Sequence, residues 1–485
     1  MNTDIWSERN ESSLKQKIVC AVLAAMLIQL TACSESETDL KNTSANESET
    51  SSERTIDPLE GLNFDGEEFN ILYIGNTSTK NLIRADELNG DVMNDAIYDR
   101  NIDVLNNLGV TVTYTEASSS TNDCPDRIRN SVMAYEDAYQ MGIIHRVDGI
   151  ADLALNNYLY NYSELPYIDL DAAYWNKDSM QIMSYHDKMF YGYSKLYPIS
   201  TFCIFFNKTI AEQCGVGNLY DIVRSGDFTI DKMAEIVKMT AKDLDGNGEM
   251  TRDDQFGIAM RNPTILSGFY LSAGINLSEN HGDSVELSLY SEKTVDLIDK
   301  VLELISDDTV SYMRKSDDLT IRSGQIMFYL DSLDNANGHR DSDVDFGLLP
   351  YPKYDKEQDE YISFANPNLQ CVPITADKEL AGAVIEYMAK HSEGVTEAFY
   401  EKTLKGKVAA DSDSAEMVDL MMNNYIVDFA TNYCGFSNGC TKLYNVLSIL
   451  LNEGNDNFTS FYYTYAEQAQ AEIDAVLEGL NNAGG

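Results

Sequence analysis

Apolar positions recur along the chain with two different periods. Residues 68–74 alternate and are rich in β-formers, Met93, Ile97, Leu105 and Leu108 share one helical face, and Val110, Val112 and Tyr114 alternate again. That order predicts strand, helix, strand at the start of the folded part. Helical spacing returns at Val295, Ile298, Val301, Leu302 and Ile305, at Leu380, Val384, Ile385 and Met388, and at Ile473, Val476, Leu477 and Leu480. Short β-rich runs at 201–206, 256–260, 326–330 and 346–349 lie between helices. Strands alternating with helices predict an α/β architecture with largely parallel sheet. Ligands of open sheets of this kind sit beyond the carboxyl ends of strands. For the first strand that place is Gly75-Asn76-Thr77-Ser78, either a polar binding loop or a plain turn.

The N-terminal region has a different pattern. Lys15 and Lys17 precede an eleven-residue apolar run, 18–28, too short to span a bilayer comfortably and suited to a signal-peptide core. It ends in Leu30-Thr31-Ala32-Cys33, which resembles the lipobox of bacterial lipoproteins; the alternatives are a plain signal peptide or a buried helix. In the lipoprotein pattern residues 1–32 are removed and Cys33 carries the lipid, palmitate included, as an anchor on the membrane rather than a span. Residues 34–55 hold six Ser, four Thr, five Glu and one large aliphatic, Leu40. They cannot bury enough surface to offset their ordering entropy, so 33–61 is expected to be a disordered tether. Residues 481–485 are expected to fray.

Composition narrows the partners. Of 485 residues, 44% are apolar and 24% charged, enough for a sizeable core divided between lobes. Lys plus Arg number 35 against 79 Asp plus Glu, a net charge of −44. Nucleic-acid binding needs the opposite balance, and an anionic membrane surface repels such a chain. The charge lies wholly in the exported part, because residues 1–32 contain three acidic and three basic side chains. Beyond Cys20 and Cys33 there are Cys124, Cys203, Cys214, Cys371, Cys434 and Cys440, with no C-x-x-C and no zinc spacing. Cys434 and Cys440 either close a small disulfide loop or stand as buried thiols.

One internal motif points to a metal. Asp243, Asp245, Asn247, Thr251 and Asp254 occupy positions 1, 3, 5, 9 and 12 of a twelve-residue calcium loop, with Gly248 at position 6, Glu249 at 7 and an apolar residue at 8. Asp254 stands where Glu is usual, so the last arm is shorter. A predicted helix precedes the loop but a strand follows it, which suits a structural calcium clip rather than a sensor; the bland alternative is an empty acidic turn. Catalytic constellations are otherwise scarce: the five histidines, 145, 186, 281, 339 and 391, form no H-E-x-x-H, and there is neither G-x-S-x-G nor a phosphate-binding loop. A carboxylate pair for glycoside hydrolysis cannot be recognised among so many acids. The 30 tyrosines and Trp175, in Tyr174-Trp175-Asn176-Lys177-Asp178, provide aromatic faces beside amides and carboxylates, a combination suited to sugar rings. Each is equally a core anchor.

With these features the chain resembles the extracellular solute-binding proteins, family 1 and sugar-type, of bacterial ABC importers, in particular the lipoproteins of Gram-positive bacteria. The resemblance covers nearly all of 62–480. It rests on the lipobox and tether, Asn94-Asp95 with Tyr98, Arg100 and Asn101, Tyr174-Trp175, the acidic loop leading to Phe256-Gly257, Asp345 to Lys353 with Gln358 and Tyr361, and Gly406-Lys407 with Asp411.

The resemblance implies a two-lobed periplasmic-binding-protein-like fold of type II, each lobe a mixed, mostly parallel sheet flanked by helices. Lobe one would be 62–195 plus 345–390 and lobe two 196–344 plus 391–480, with hinges near 193–200 and 345–350. It implies a monomeric, non-enzymatic receptor, lipid-anchored at the extracellular face, that encloses a sugar or oligosaccharide and delivers it to ABC permease subunits. A peptide or amino-acid receptor and a surface glycosidase are the alternatives. Expected ligand contacts are Asn76 and Arg84 from the first loop, Asp148 at a lobe-one strand end, Trp175 and Tyr197 for stacking, Tyr270 and Asp331 from lobe two, and Asn366 and Asn368 from the return crossing. Arg84 can equally be a surface helix residue and Asp148 a cap. Alanine at Trp175 is expected to weaken sugar binding by about tenfold or more.

Overall fold

In the computed structural model the first strand, β1 (Glu68–Tyr73), is an inner strand of a four-stranded sheet, as its almost wholly buried side chains from Phe69 to Tyr73 require. The structure describes residues 57–483 apart from 121, 146–148, 314–318, 340–341, 366–367, 402–410 and 435–437. The expected signal peptide with Cys33, the tether to residue 56, Asp148, Asn366 and Gly406-Lys407 lie outside the described residues. From Asp57 onward the chain forms one unit.

The first sheet has the order β11-β3-β1-β2, with β2 at Thr111–Glu116, β3 at Met141–His145 and β11 at Asn368–Cys371. β1 runs parallel to β2 and β3, and β11 returns antiparallel beside β3. The helix Val92–Leu108 connects β1 to β2, capped by the Asp91 carboxylate and ended by Gly109 in the left-handed conformation. Its buried face is Met93, Ile97, Arg100, Val104 and Leu108. Leu105, expected on that face, is 41% exposed, because the apolar stripe continues through Val104 instead.

The second sheet has the order β5-β8-β4-β9: β4 Phe202–Asn207, β5 Phe256–Met260, β8 Ile326–Ser332 and β9 Phe346–Leu349. Between β5 and β8 lies a small hairpin of β6 (Ser278–Asn280) and β7 (Val285–Leu287). Only β5 and β8 are parallel; β4 is antiparallel to both β8 and β9. The largely parallel expectation therefore holds for the first sheet alone. The reason is the direction of entry: the chain crosses from the first sheet and starts β4 with Phe202 opposite Ser332, at the carboxyl end of β8.

The assignment of 345–390 to the first lobe is corrected at its start. β9 hydrogen-bonds to β4, so the chain leaves the second sheet only after Leu349 and rejoins the first at Asn368. Asp345 to Pro350 is accordingly sheet edge rather than hinge. The crossing is made where Thr201 pairs with Ala365 and where β10 (Ser363–Phe364) pairs with β12 (Tyr425–Ile426). The C-terminal helix Phe458–Asn482 packs on Asn438–Tyr444 and β7 and also on the first-lobe helix Ile150–Leu155, so the tail touches both halves. No described helix is long and apolar enough to cross a membrane.

Candidate functional site

The carboxyl ends of both sheets meet at the crossing. After β1, Asn76 is exposed and its side chain caps the helix Thr77–Ile83, accepting from the Thr79 N–H at 2.8 Å. Thr79 is buried behind it, and its Oγ1 accepts from Asn368 Nδ2 at 2.9 Å. The same Nδ2 donates to Tyr197 Oη at 2.8 Å. Antiparallel pairing of β11 with β3, which sets Asn368 opposite His145, builds this contact. Two expected residues, Tyr197 and Asn368, are thus joined, although 171 positions separate them. Arg84 has other partners: it donates from Nε to Asp86 at 2.9 Å and lies 3.4 Å from Tyr73 Oη and 3.9 Å from Glu116.

On the second sheet Asp331, 1% exposed, is the last residue but one of β8. Its Oδ1 accepts from the Ser332 N–H at 2.8 Å and from Asn335 Nδ2 at 3.0 Å, its Oδ2 lies 3.0 Å from His339 Nε2, and Arg261 approaches to 3.8 Å. Phe205 and Tyr329 hold the imidazole edge-on at 4.9 and 5.7 Å. Ser200, in the crossing, donates to Asp334 Oδ1 and accepts from the Asp334 N–H, both at 3.0 Å, tying the crossing to this end of the sheet. Tyr270, expected beside Asp331, is instead completely buried and donates to the Tyr444 carbonyl at 3.0 Å. Its helix, Gly268–Ser272, is covered on every side, which makes Tyr270 a core residue.

Tyr197 also lines a cavity of about 370 Å³. One wall is Tyr174, Trp175 and Asn176; the floor is the crossing from Ser194 to Ile199; the other wall is the helix Ser412–Asn423, with Tyr400 and Tyr425 beside it. Trp175 is 5% exposed, donates Nε1 to Glu386 Oε2 at 2.9 Å and packs edge-on against Tyr162. Tyr174 donates to the other Glu386 oxygen at 2.5 Å. Glu386 can approach because Gly382, one turn earlier, lets its helix touch Pro166: a Cβ there would lie 2.1 Å from the Pro166 carbonyl oxygen. Trp175 therefore borders the cavity as a core anchor, and its alanine variant removes an anchor as well as a ring face.

Known structures share this arrangement of two sheets and a crossing. The acarbose-binding GacH receptor of Streptomyces glaucescens is 14% identical with a TM-score of 0.53, over 86% of this chain and 99% of that one. UgpB of Mycobacterium tuberculosis, solved with glycerophosphocholine, is 11% identical with a TM-score of 0.57, over 85% and 98%. The fold is the two-lobed type II solute-binding fold. The substrate-binding protein Lmo0181 of Listeria monocytogenes, solved with cycloalternan, has the same fold at 13% identity and a TM-score of 0.53, over 86% and 100%. The sequence matches no protein-family model and none of the curated proteins.

Attached to the second lobe of this solute-binding fold is the acidic loop. Asp243, Asp245 and Asp254 bring one carboxylate oxygen each within 4.8 Å of one another. Asp243 accepts from the Gly248 and Gly246 N–H groups, both at 2.7 Å, and these bonds hold its carboxyl below the usual range. Asp254, fully buried, accepts from the Thr251 and Leu244 N–H groups and is lowered for the same reason. Asn247 Oδ1 accepts from the Glu249 N–H at 2.7 Å. The three clustered donors are all carboxylate oxygens, the ligand type a hard cation takes. Outside this loop, Cys434 and Cys440 are thiols in hydrogen-bond contact with each other rather than a disulfide.

The sequence did not single out Arg261, Asn335, His339, Glu386 or the wall helix with Tyr400, Asp419, Asn423 and Tyr425. Only Arg261 carried a local signal, as a charged residue directly after the strand Phe256–Met260.

Proposed function

We propose that this chain is the lipid-anchored, extracellular binding subunit of an ABC importer, a non-enzymatic receptor that captures a sugar or short oligosaccharide between its lobes and delivers it to a permease. The observation that carries the reading is the meeting of opposed strand ends at one crossing, Tyr197 and Asn368 on one side and Asp331 on the other, linked through Ser200 and Asp334. Ligands named for solved proteins of the same fold, acarbose and cycloalternan among them, support the carbohydrate class. Calorimetry and thermal shift against neutral oligosaccharides, glycerophosphocholine and short peptides test it. A sugar that raises the melting temperature and is recovered intact is the expected result. A response confined to peptides selects the amino-acid or peptide alternative, and sugar cleavage selects the glycosidase.

In the same reading Cys33 holds the lipid, so Cys33→Ser should move the protein from the membrane fraction to the medium. Asp243, Asp245, Asn247, Glu249, Thr251 and Asp254 would hold a structural calcium ion, whose charge offsets the repulsion among these carboxylates. Adding millimolar calcium to chelator-treated protein should raise the melting temperature, and Asp243→Ala should remove that rise. Equal melting with calcium and with chelator rejects the ion.

A further inference from the structure

The cavity beside the crossing has walls from both halves of the molecule. Tyr174 and Trp175 are fastened by Glu386 to the helix Lys378–Lys390, which packs on the first sheet, whereas the helix Ser412–Asn423 packs on β9 of the second and Asn176 donates to Tyr425. We propose that this cavity is the specificity subsite for one or two neutral hexose rings, with Asp419 and Asn423 of the second wall reading the hydroxyl groups; the proposal rests on the sugar reading above.

Size, surface and charge point the same way. A volume of about 370 Å³ lies at the lower end of the roughly 300–1,000 Å³ of small-molecule sites, which suits one or two rings rather than a long glucan. Tyr174, Tyr197, Tyr400 and Tyr425 contribute aromatic surface against which the C–H face of a sugar can pack. Asp419 and Asn423 are exposed on the helix Ser412–Asn423 and line the cavity, as does Asn176 opposite. Carboxylates and amides accept and donate to hydroxyl groups in directions fixed by their geometry. Among the described lining residues Lys195 is the one cation and Glu401 adds a second acid, a balance that disfavours an anionic ligand. A ligand touching both walls binds best in one relative placement of the lobes, and the Tyr197 hydroxyl carries the contact on to Asn368 and Thr79 at the first sheet.

The chain's two tryptophans are Trp6 and Trp175, so a Trp6→Phe background isolates a reporter in the cavity wall. Glucose, maltose and maltotetraose, with glycerophosphocholine as the contrasting probe, would be titrated by calorimetry and by Trp175 emission. The expected result is a shift of emission on binding glucose or maltose. Asp419→Ala and Asn423→Ala should each weaken that binding tenfold or more at an unchanged melting temperature, and Met422→Trp should abolish it by filling the space. If a neutral sugar binds but both alanine variants keep full affinity while Arg261→Ala or Asn335→Ala loses it, the ligand lies at the strand ends; the inference fails and the sugar reading stands. Maltotetraose binding tenfold more tightly than maltose overturns the size assignment. Binding of glycerophosphocholine and of no neutral sugar ends both the inference and the reading on which it rests.

Discussion

The two walls of the cavity are held in different ways. Tyr174 and Trp175 donate to the two oxygens of one carboxylate, Glu386, itself 3% exposed on a helix buried along most of its length. In such low-dielectric surroundings fully satisfied hydrogen bonds are strong and fix one geometry. The opposite wall buries Met417, Val418 and Met421, but its N-terminus hangs on charges. Asp411 caps it, accepting from the Ser414 N–H at 2.8 Å, and pairs with Lys208 at 2.6 Å; Arg224 reaches Asp413, Glu416 and Asp221 at the surface. Neutral donors on a buried acid make the first wall indifferent to salt. Ion pairs make the second the one whose placement responds to pH and ionic strength.

The largest expected effect tests the first wall. Trp175→Ala should cost about 3–5 kcal/mol in denaturant unfolding, the range for emptying a large aromatic site. It also leaves a Glu386 oxygen without its indole donor. Trp175→Phe keeps most of the volume and isolates the hydrogen bond, with an expected loss of about 1–3 kcal/mol. A cost below 1 kcal/mol for the alanine variant would show that this wall is no anchor and remove the contrast.

The second wall should yield less and show a pH signature. Asp411→Ala removes both cap and ion pair and should cost about 1–2 kcal/mol, whereas Asp411→Asn keeps a capping oxygen and loses only the pair. Burial alone would raise the Asp411 carboxyl, but Lys208 and the Ser414 N–H outweigh it and hold the group below 3.8. A depressed carboxyl contributes stability above its unfolded value and loses it as pH falls through the folded one. Burial would lower Lys208, and Asp411 more than reverses this, so its contribution is complete below 10.5 and is lost as pH rises through the higher folded value. Urea midpoints of the wild type should therefore approach those of Asp411→Asn below pH 4 and exceed them near pH 7. Parallel curves across that range would contradict the pairing.

What the sequence shows of this arrangement follows from the range of each interaction. Strands 256–260 and 346–349 coincide with β5 and β9, and the helical stripes at 295–305 and 380–388 bury their predicted apolar positions except Val295, which is half-buried, because period and burial are local properties. The direction of β4 is not local: it depends on the side from which the chain crosses, so a run of apolar residues could not distinguish parallel from antiparallel. Trp175 was visible as an aromatic in a polar context, but its partner Glu386 is 211 positions away and its neighbours gave no hint of burial. Asn76 was placed correctly at the end of β1, yet the structure uses it as a cap and presents Thr79 to the crossing. The exposed acids of the helix Ser412–Asn423 look in sequence like any solvated face, and only the fold brings Asp419 into the lining of the cavity that Tyr174 also lines.

The smallest effect gives the most discriminating test of the contrast. Arg224 contacts three carboxylates, yet all four side chains are at least one-third exposed, and such pairs contribute little in water. Arg224→Ala should leave the unfolding midpoint unchanged at 0.15 M salt, where charges are screened over about 8 Å, and lower it detectably at 0.01 M, where the screening length is about 30 Å. The same dilution should leave the difference between wild type and Trp175→Phe untouched, since that interaction lies beyond the reach of ions. If both differences respond to salt alike, the first wall is as electrostatic as the second. If neither does, the Ser412–Asn423 helix is held by Met417, Val418 and Met421 alone, and its position in the cavity is set by packing.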